Sequence, residues 1–316
     1  MEITWSEAQR PKTPKGAPMP MQQHRAYGAA CKRIGSQVMW LEGRAGGKPV
    51  ASAQILRRTW PLFGQFALLS RGPLFAPSVG AADAGRATRD LVAMLAPDHR
   101  GVMATPDCID GRDPLMGQGL LQMVTGGHVA RLSLKEPEAA LRAALHQKWR
   151  NRLKRAEGAG LFLDSGPMPP DPGHWLLREE ARQASQRRYA RLPPEFAVAW
   201  ASLGESLLVT ASDKSGPVAG MLFLIHAPWA SYHLGWTSED GRRMDAHNLL
   251  MWTGMLALKA RGLTALELGT LDTVKTPGLA RFKLGTGAVP VPLGATWMRS
   301  VGSGAVARLA GLRRAA

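Results

Sequence analysis

The chain has 316 residues, 45% hydrophobic and 20% charged, which fits one large or two ordinary globular domains and excludes disorder over most of the length. Forty Lys and Arg against 24 Asp and Glu give a net charge of +16; this favours polyanionic partners such as nucleic acid, anionic lipid or phosphorylated substrates, unless it reflects compositional drift alone. Cys31 and Cys108 stand far apart with no Cys/His cluster, the N-terminal stretch lacks an apolar leader core, and no apolar run is long enough to cross a bilayer, so a disulfide framework and a zinc site are unsupported and a reducing, cytoplasmic setting is expected.

After a Pro-rich entry, residues 22–34 carry a short helical pattern, followed by strand-like runs at Ser36–Glu42, Lys48–Leu56 and Gly64–Ser70. Helical spacing returns over Gly85–Leu95, and Gly101–Thr105 and His128–Leu134 read as strands. The spacing of Leu141, Leu145, Trp149 and Leu153 predicts one continuous helix from near Lys135 to Ala156, stopped by Gly158 and Gly160. Its opposite face is basic, with Arg142, Lys148, Arg150, Arg152, Lys154 and Arg155. Asp107 to Asp113, with Cys108, lacks metal-ligand spacing and reads as a turn.

A second α/β unit follows. Helical stretches at His174–Tyr189 and Pro194–Leu203 precede strands at Ser206–Ala211, Pro217–His226 and Ala230–Trp236. A polar loop, Thr237–Asp245, leads into an apolar helix, Ala246–Arg261, which Gly262 ends before a strand at Ala265–Leu268. The two halves share the coarse order strands, helix, strand.

Three stretches carry a family resemblance: LRAALHQKWRNRLKRAEGAGL at Leu141–Leu161, YHLGWTSEDGRRMDAHNLL at Tyr232–Leu250, and LDTVKTPGLARFKLGTG at Leu271–Gly287. They resemble the FemAB/FemX aminoacyltransferases, and the last matches that family's GL-x-x-FK-x-x-x-G signature; Gln54–Arg57 and Ser70–Leu74 resemble its first half more loosely. The resemblance implies an α/β protein of two tandem GNAT-like (acetyltransferase-like) domains with mixed, mostly antiparallel sheets. The expected division is 1–135 and 136–316, with a basic linking helix at 136–157 and the last residues packing back on the first domain. It further implies a donor of aminoacyl-tRNA, a peptide or peptidoglycan-type amine as acceptor, and no resident cofactor or metal.

Transfer of an ester or thioester acyl group to an amine needs a neutral amine, a placed carbonyl and a stabilised oxyanion. By resemblance Lys283, after Phe282, is the catalytic candidate, its ammonium holding a donor phosphate or the oxyanion; the alternative is a surface lysine at a helix end. Arg243-x-x-Ala246-x-Asn248 occupies the register of a glycine-rich pyrophosphate loop, where the bulk of Ala246 and Asn248 speaks against coenzyme A; Asp245 is either part of that loop or a plain helix N-cap. Tyr232, Trp236 and Asp272 are expected at strand ends lining a cleft, as substrate contacts or as a structural tyrosine and the start of a turn. Arg150, Arg152, Lys154 and Arg155, with Arg182, Arg187, Arg188 and Arg191, either track a phosphate backbone or form a solvated face. His233 and His247 receive no role.

Two other readings stand beside the tRNA-dependent one. The first is an acyl-CoA-dependent N-acyltransferase on a small or lipid-linked amine. The second is a non-catalytic nucleic-acid or membrane-surface protein, kept open by the basic segment Arg299–Arg314, with Val301, Val306, Leu309 and Leu312 at helical spacing.

Overall fold

Turn signals at Gly46–Gly47 and before Gly64 fold the first strand-like runs back on one another. The computed structural model describes residues 1–189, 191–300 and 302–303. Contacts divide the chain into unit 1, residues 1–128 and 292–316, and unit 2, residues 129–291.

Unit 1 comprises β1 (Thr4–Glu7), α1 (Arg25–Arg33), β2 (Gln37–Ala45), β3 (Lys48–Trp60), β4 (Gly64–Ser70), β5 (Leu74–Phe75), α2 (Ala81–Leu95), β6 (Gly101–Thr105) and β7 (Leu121–Val124). Strands β2, β3 and β4 form an antiparallel meander, and α2 then delivers β6 parallel to β4. Leu41, Ile55, Leu69, Leu91 and Val102 meet in one core. The Asp107–Asp113 segment is indeed a turn region, but Asp113 also ties it to the far end of the chain: its carboxylate accepts from the backbone N–H of Ala295 (2.7 Å) and from Trp297 Nε1 (2.9 Å).

Unit 2 comprises β8 (His128–Ser133), α3 (Glu138–Ala144), α4 (Gln147–Glu157), β9 (Phe162–Gly166), α5 (Trp175–Arg187), α6 (Pro194–Ala201), β10 (Glu205–Asp213), β11 (Gly216–His226), β12 (Trp229–Thr237), α7 (Glu239–Arg243), α8 (Ala246–Ala260), β13 (Ala265–Thr270), α9 (Pro277–Leu284) and β14 (Val289–Pro292). The strand order is β14-β8-β13-β12-β11-β10-β9. Here β9 to β12 are antiparallel, α8 delivers β13 parallel to β12, and β8 adds antiparallel to β13. Each unit is thus an α/β layer of GNAT type, with an antiparallel meander feeding a helix and then a parallel strand. Helix α8 is apolar nearly all round, with Leu250, Met251, Trp252, Met255 and Leu258 buried, because one face meets the sheet and another meets α4.

Three details depart from the sequence reading. The single basic helix is two helices: Leu145 and His146 are extended, and His146 Nδ1 accepts from the Lys148 N–H (3.3 Å) and starts α4. Residues 129–135 go with unit 2, not with the first domain, because β8 hydrogen-bonds to β13. The polar loop before α8 contains α7, capped by Ser238 Oγ on the Gly241 N–H. After β14 the chain returns to the first sheet as β15 (Thr296–Ser300), inserted between β6 and β7. Residue 301 and residues 304–316, which hold most of the basic C-terminal segment, lie outside the described residues.

Candidate functional site

Strands β12 and β13 pair only over Trp229–Ser231 and Ala265–Glu267 and then separate. On its other side β12 carries a bulge: Phe223 faces Tyr232 and Leu222 faces Leu234, so His233 is an extra residue. A cleft of about 1330 Å³ opens where the strands part. Tyr232 to Gly235 of β12 and Leu268 to Thr270 of β13 form its walls, with residues of α5, the start of α8, and α9. All of its lining residues belong to unit 2.

Helix α9 starts with Pro277 in its first turn, where a missing N–H costs nothing. Its last turn brings Lys283 to the cleft wall with 5% of its surface exposed. The ammonium donates to the Thr270 carbonyl at 2.8 Å, and desolvation pulls its pKa down to about 8. An ammonium has three N–H donors, so this bond leaves others for a ligand. Phe282 is half-buried, its ring 6.1 Å from Trp149 and 6.2 Å from His247. The glycine following this pair has a packing reason, since a Cβ on Gly285 would lie 2.6 Å from Trp149 Cδ1.

The first turn of α8 forms another part of the wall. Asp245 holds the N-cap position in the left-handed conformation (φ 52°), yet its carboxylate caps nothing. It binds Arg155 (2.5 Å) and lies 3.8 Å from Arg152. Asn248 is buried, and its Nδ2 has no hydrogen-bond partner among the described residues; neither does His247 Nε2. Burial lowers the His247 pKa to about 4, opposed by its hydrogen bond to the Trp236 backbone and reinforced by Arg242 and Arg187. Burial alone lowers His233, also in the wall, to about 4. Both imidazoles are therefore neutral near pH 7 and act only as hydrogen-bonding groups in that state.

Helix α5 supplies what sequence reasoning missed. Glu180 is 4% exposed and lines the cleft. It accepts from the Tyr189 hydroxyl at 3.0 Å and pairs with Arg191 at 3.3 Å, while Gln183 Nε2 donates to the same hydroxyl at 3.2 Å. Burial raises the Tyr189 and Tyr232 phenols above their usual range, and Glu180 adds to both shifts. Seven Lys and Arg and three carboxylates line the cleft, so the balance favours an anionic ligand.

No family model and no curated protein sequence matches the chain. Among solved structures, FemX superposes with a TM-score of 0.71 at 13% identity, covering 90% of this chain and 93% of its own. The chain has a FemX-like tandem GNAT fold. The C-terminal domain of an Agrobacterium fabrum protein named for lysylphosphatidylglycerol synthetase superposes at 0.56 with 14% identity, covering 92% of both chains. A tandem GNAT protein from the clavulanic acid biosynthesis pathway, solved without AcCoA, also reaches 0.56 at 14% identity, covering 95% of this chain and 99% of its own.

Within this FemX-like fold the sequence candidates separate. Lys283, Phe282, Tyr232, Asp272, Asn248 and Arg152 all line the cleft of unit 2. Asp272 also makes the turn, its Oδ1 accepting from the Val274 and Lys275 N–H groups at 3.0 and 2.7 Å. Trp236 was expected in the cleft but is not part of the wall; its ring packs edge-on against Trp175 at 5.8 Å, because the bulge at His233 shifts the alternation of β12. Arg243 pairs with Asp240 on the solvent side rather than facing the cleft. Much of the basic face is engaged by the protein itself. Arg150 donates to the Ala143 carbonyl, Arg142 grips Glu157 with two hydrogen bonds, and Arg155 pairs with Asp245. These acceptors, distant in sequence or hidden in the adjoining turns, take up guanidinium groups that the linear pattern leaves free; Lys154 remains exposed. Among the described residues no cluster of three or more metal-ligating side chains occurs, and no helix is long and apolar enough to cross a membrane.

Proposed function

We propose that the chain is an acyltransferase of the aminoacyl-transferring kind, moving an aminoacyl group from aminoacyl-tRNA to the amine of a peptide or peptidoglycan-type acceptor in the cleft of unit 2. The observation that carries this reading is the shielded Lys283 ammonium, fixed by the Thr270 carbonyl on a cleft wall. The neutral amine attacks the ester carbonyl, forming the C–N bond. Lys283 donates to the oxyanion of the tetrahedral intermediate. Collapse then breaks the C–O bond to the ribose, and the departing oxygen takes the proton released by the amine. A fixed donor in a site of low polarity stabilises developing charge more than one in water. The excess of cations along the wall supports a polyphosphate donor.

A second reading replaces the donor with acyl-CoA. It is favoured by the position of the α8 N-terminus, whose first-turn residues His247 and Asn248 line the same cleft, because the positive end of a helix dipole suits a pyrophosphate; the Asn248 N–H itself is engaged by the Asp245 carbonyl at 2.9 Å. One assay separates the two. The purified chain is incubated with a pool of amine acceptors and either radiolabelled aminoacyl-tRNA or acetyl-CoA. Transfer from the first alone supports the tRNA-dependent reading, and transfer from the second alone overturns it. With the productive donor, Lys283→Ala lowers kcat about 10²–10³-fold; full turnover in that variant removes the role assigned to the ammonium.

A further inference from the structure

The β3–β4 hairpin ends in a tip that the fold does not use. Leu62 is 102% exposed and Phe63 69%, while Trp60 packs its ring against Phe66 at 4.8 Å and stiffens the neck. Leu62 also sits at φ 68°, a left-handed conformation that costs an L-residue free energy. An aliphatic side chain held there, fully in water, gains nothing from folding. Contiguous apolar groups rimmed by polar ones mark interaction surfaces.

The rim is basic. The strand registers place the end of β3, the start of β4, the start of β6 and the end of β15 together: Arg58 pairs with Phe66, Phe66 with Gly101, and Gly101 with Ser300. Gln37, at the start of β2, faces Arg57. The end of α1 joins them, since Ser36 donates its N–H to the Cys31 carbonyl and accepts from Arg58 Nε at 3.2 Å. Arg100 runs along the hairpin neck, its Cγ 2.6 Å from where a Cβ on Gly64 would stand. Residues 31–37, 57–66, 96–101 and 298–300 contain six Lys and Arg and one carboxylate, Asp98. Lys32, Arg33, Arg100 and Arg299 are exposed, and none of the four is paired with a carboxylate among the described residues.

We propose that this end of unit 1 docks on the surface of a membrane containing anionic phospholipid, with Leu62 and Phe63 entering the headgroup region and Lys32, Arg33, Arg100 and Arg299 against the lipid phosphates. Charge complementarity selects the occupant, because basic residues close to an anionic leaflet are attracted within a Debye length. Leu62 favours a bilayer over a nucleic acid: acyl chains reward both Leu62 and Phe63, whereas single-stranded bases would stack on Phe63 and leave the more exposed Leu62 without a partner. The surface belongs to unit 1 alone, so the inference is independent of the transferase reading and of its donor.

The test is flotation of the full chain with vesicles of phosphatidylcholine alone or of phosphatidylcholine and phosphatidylglycerol in equal parts. The chain is expected to float with the anionic vesicles and not with the neutral ones. Substituting Leu62→Asn and Phe63→Gln together lowers its partition coefficient about tenfold, and Arg100→Gln with Arg299→Gln weakens partition onto the anionic vesicles. Leu62→Asn alone, which suits the left-handed backbone, gives a smaller loss in a chain whose thermal unfolding is unchanged. Equal flotation of the Leu62 and Phe63 variants and the parent overturns the proposal, since net charge would then account for the binding. So does a hairpin variant that loses retention on RNA while keeping its flotation.

Discussion

Lys283 is a cation held where solvent scarcely reaches it, and that has a thermodynamic signature of its own. Its pKa falls from the ordinary 10.5 to about 8 in the folded chain, so between these values the unfolded state binds a proton that the folded state has lost. Stability therefore rises with pH across that window, by on the order of 3 kcal/mol if the whole shift is realised. Below pH 8 both states are protonated and the buried charge is a full penalty. Chemical denaturation at a series of pH values should show this gain in the parent chain and lose it in Lys283→Met. The Phe282–Lys283 pair was legible because its flanking pattern is local. Glu180 was not, because on a linear helix it is one of two adjacent acids among arginines; its burial is decided by packing against β12 and by Tyr189 and Arg191, which lie beyond the helix. Trp236 was misplaced for a related reason, since a one-residue bulge inverts which side of a strand each side chain takes.

Among the elements, α8 depends on a glycine within its span. A Cβ on Gly254 would lie 2.5 Å from Cε2 of Phe223, a fully buried ring of β11. Gly254→Ala gains about 1 kcal/mol of helix propensity but overpacks a site that normally costs about 1–3 kcal/mol to crowd. The expected net loss is about 1 kcal/mol, read as a lower urea midpoint at unchanged m-value. The long elements were readable from period and length, as α2, α8, β4 and β11 are. The short strands β1, β9, β14 and β15 were not, because four or five residues carry too little pattern and their partners come from elsewhere in the chain. The break between α3 and α4 was hidden because Leu145 and Trp149 keep helical spacing across it, both buried in the same core.

For the whole molecule, the sequence showed two α/β halves but not how the chain is shared between them. Unit 1 needs β15, which pairs with both β6 and β7 and buries Trp297 against Asp113. A chain ending at residue 291 should therefore lose the cooperative unfolding of unit 1 and expose its core to protease, while fragments spanning residues 129–291 persist on a gel. Survival of the unit 1 fragment under the same digestion would show that its sheet closes without that strand.

The threading of the chain also fixes an order of events during synthesis. Every strand of the second sheet has been made by residue 292, whereas the first sheet still lacks an interior member until residue 300 leaves the ribosome. The half that is translated first is thus completed last, and its β6 and β7 edges stay open to stray pairing for as long as the rest of the chain takes to arrive.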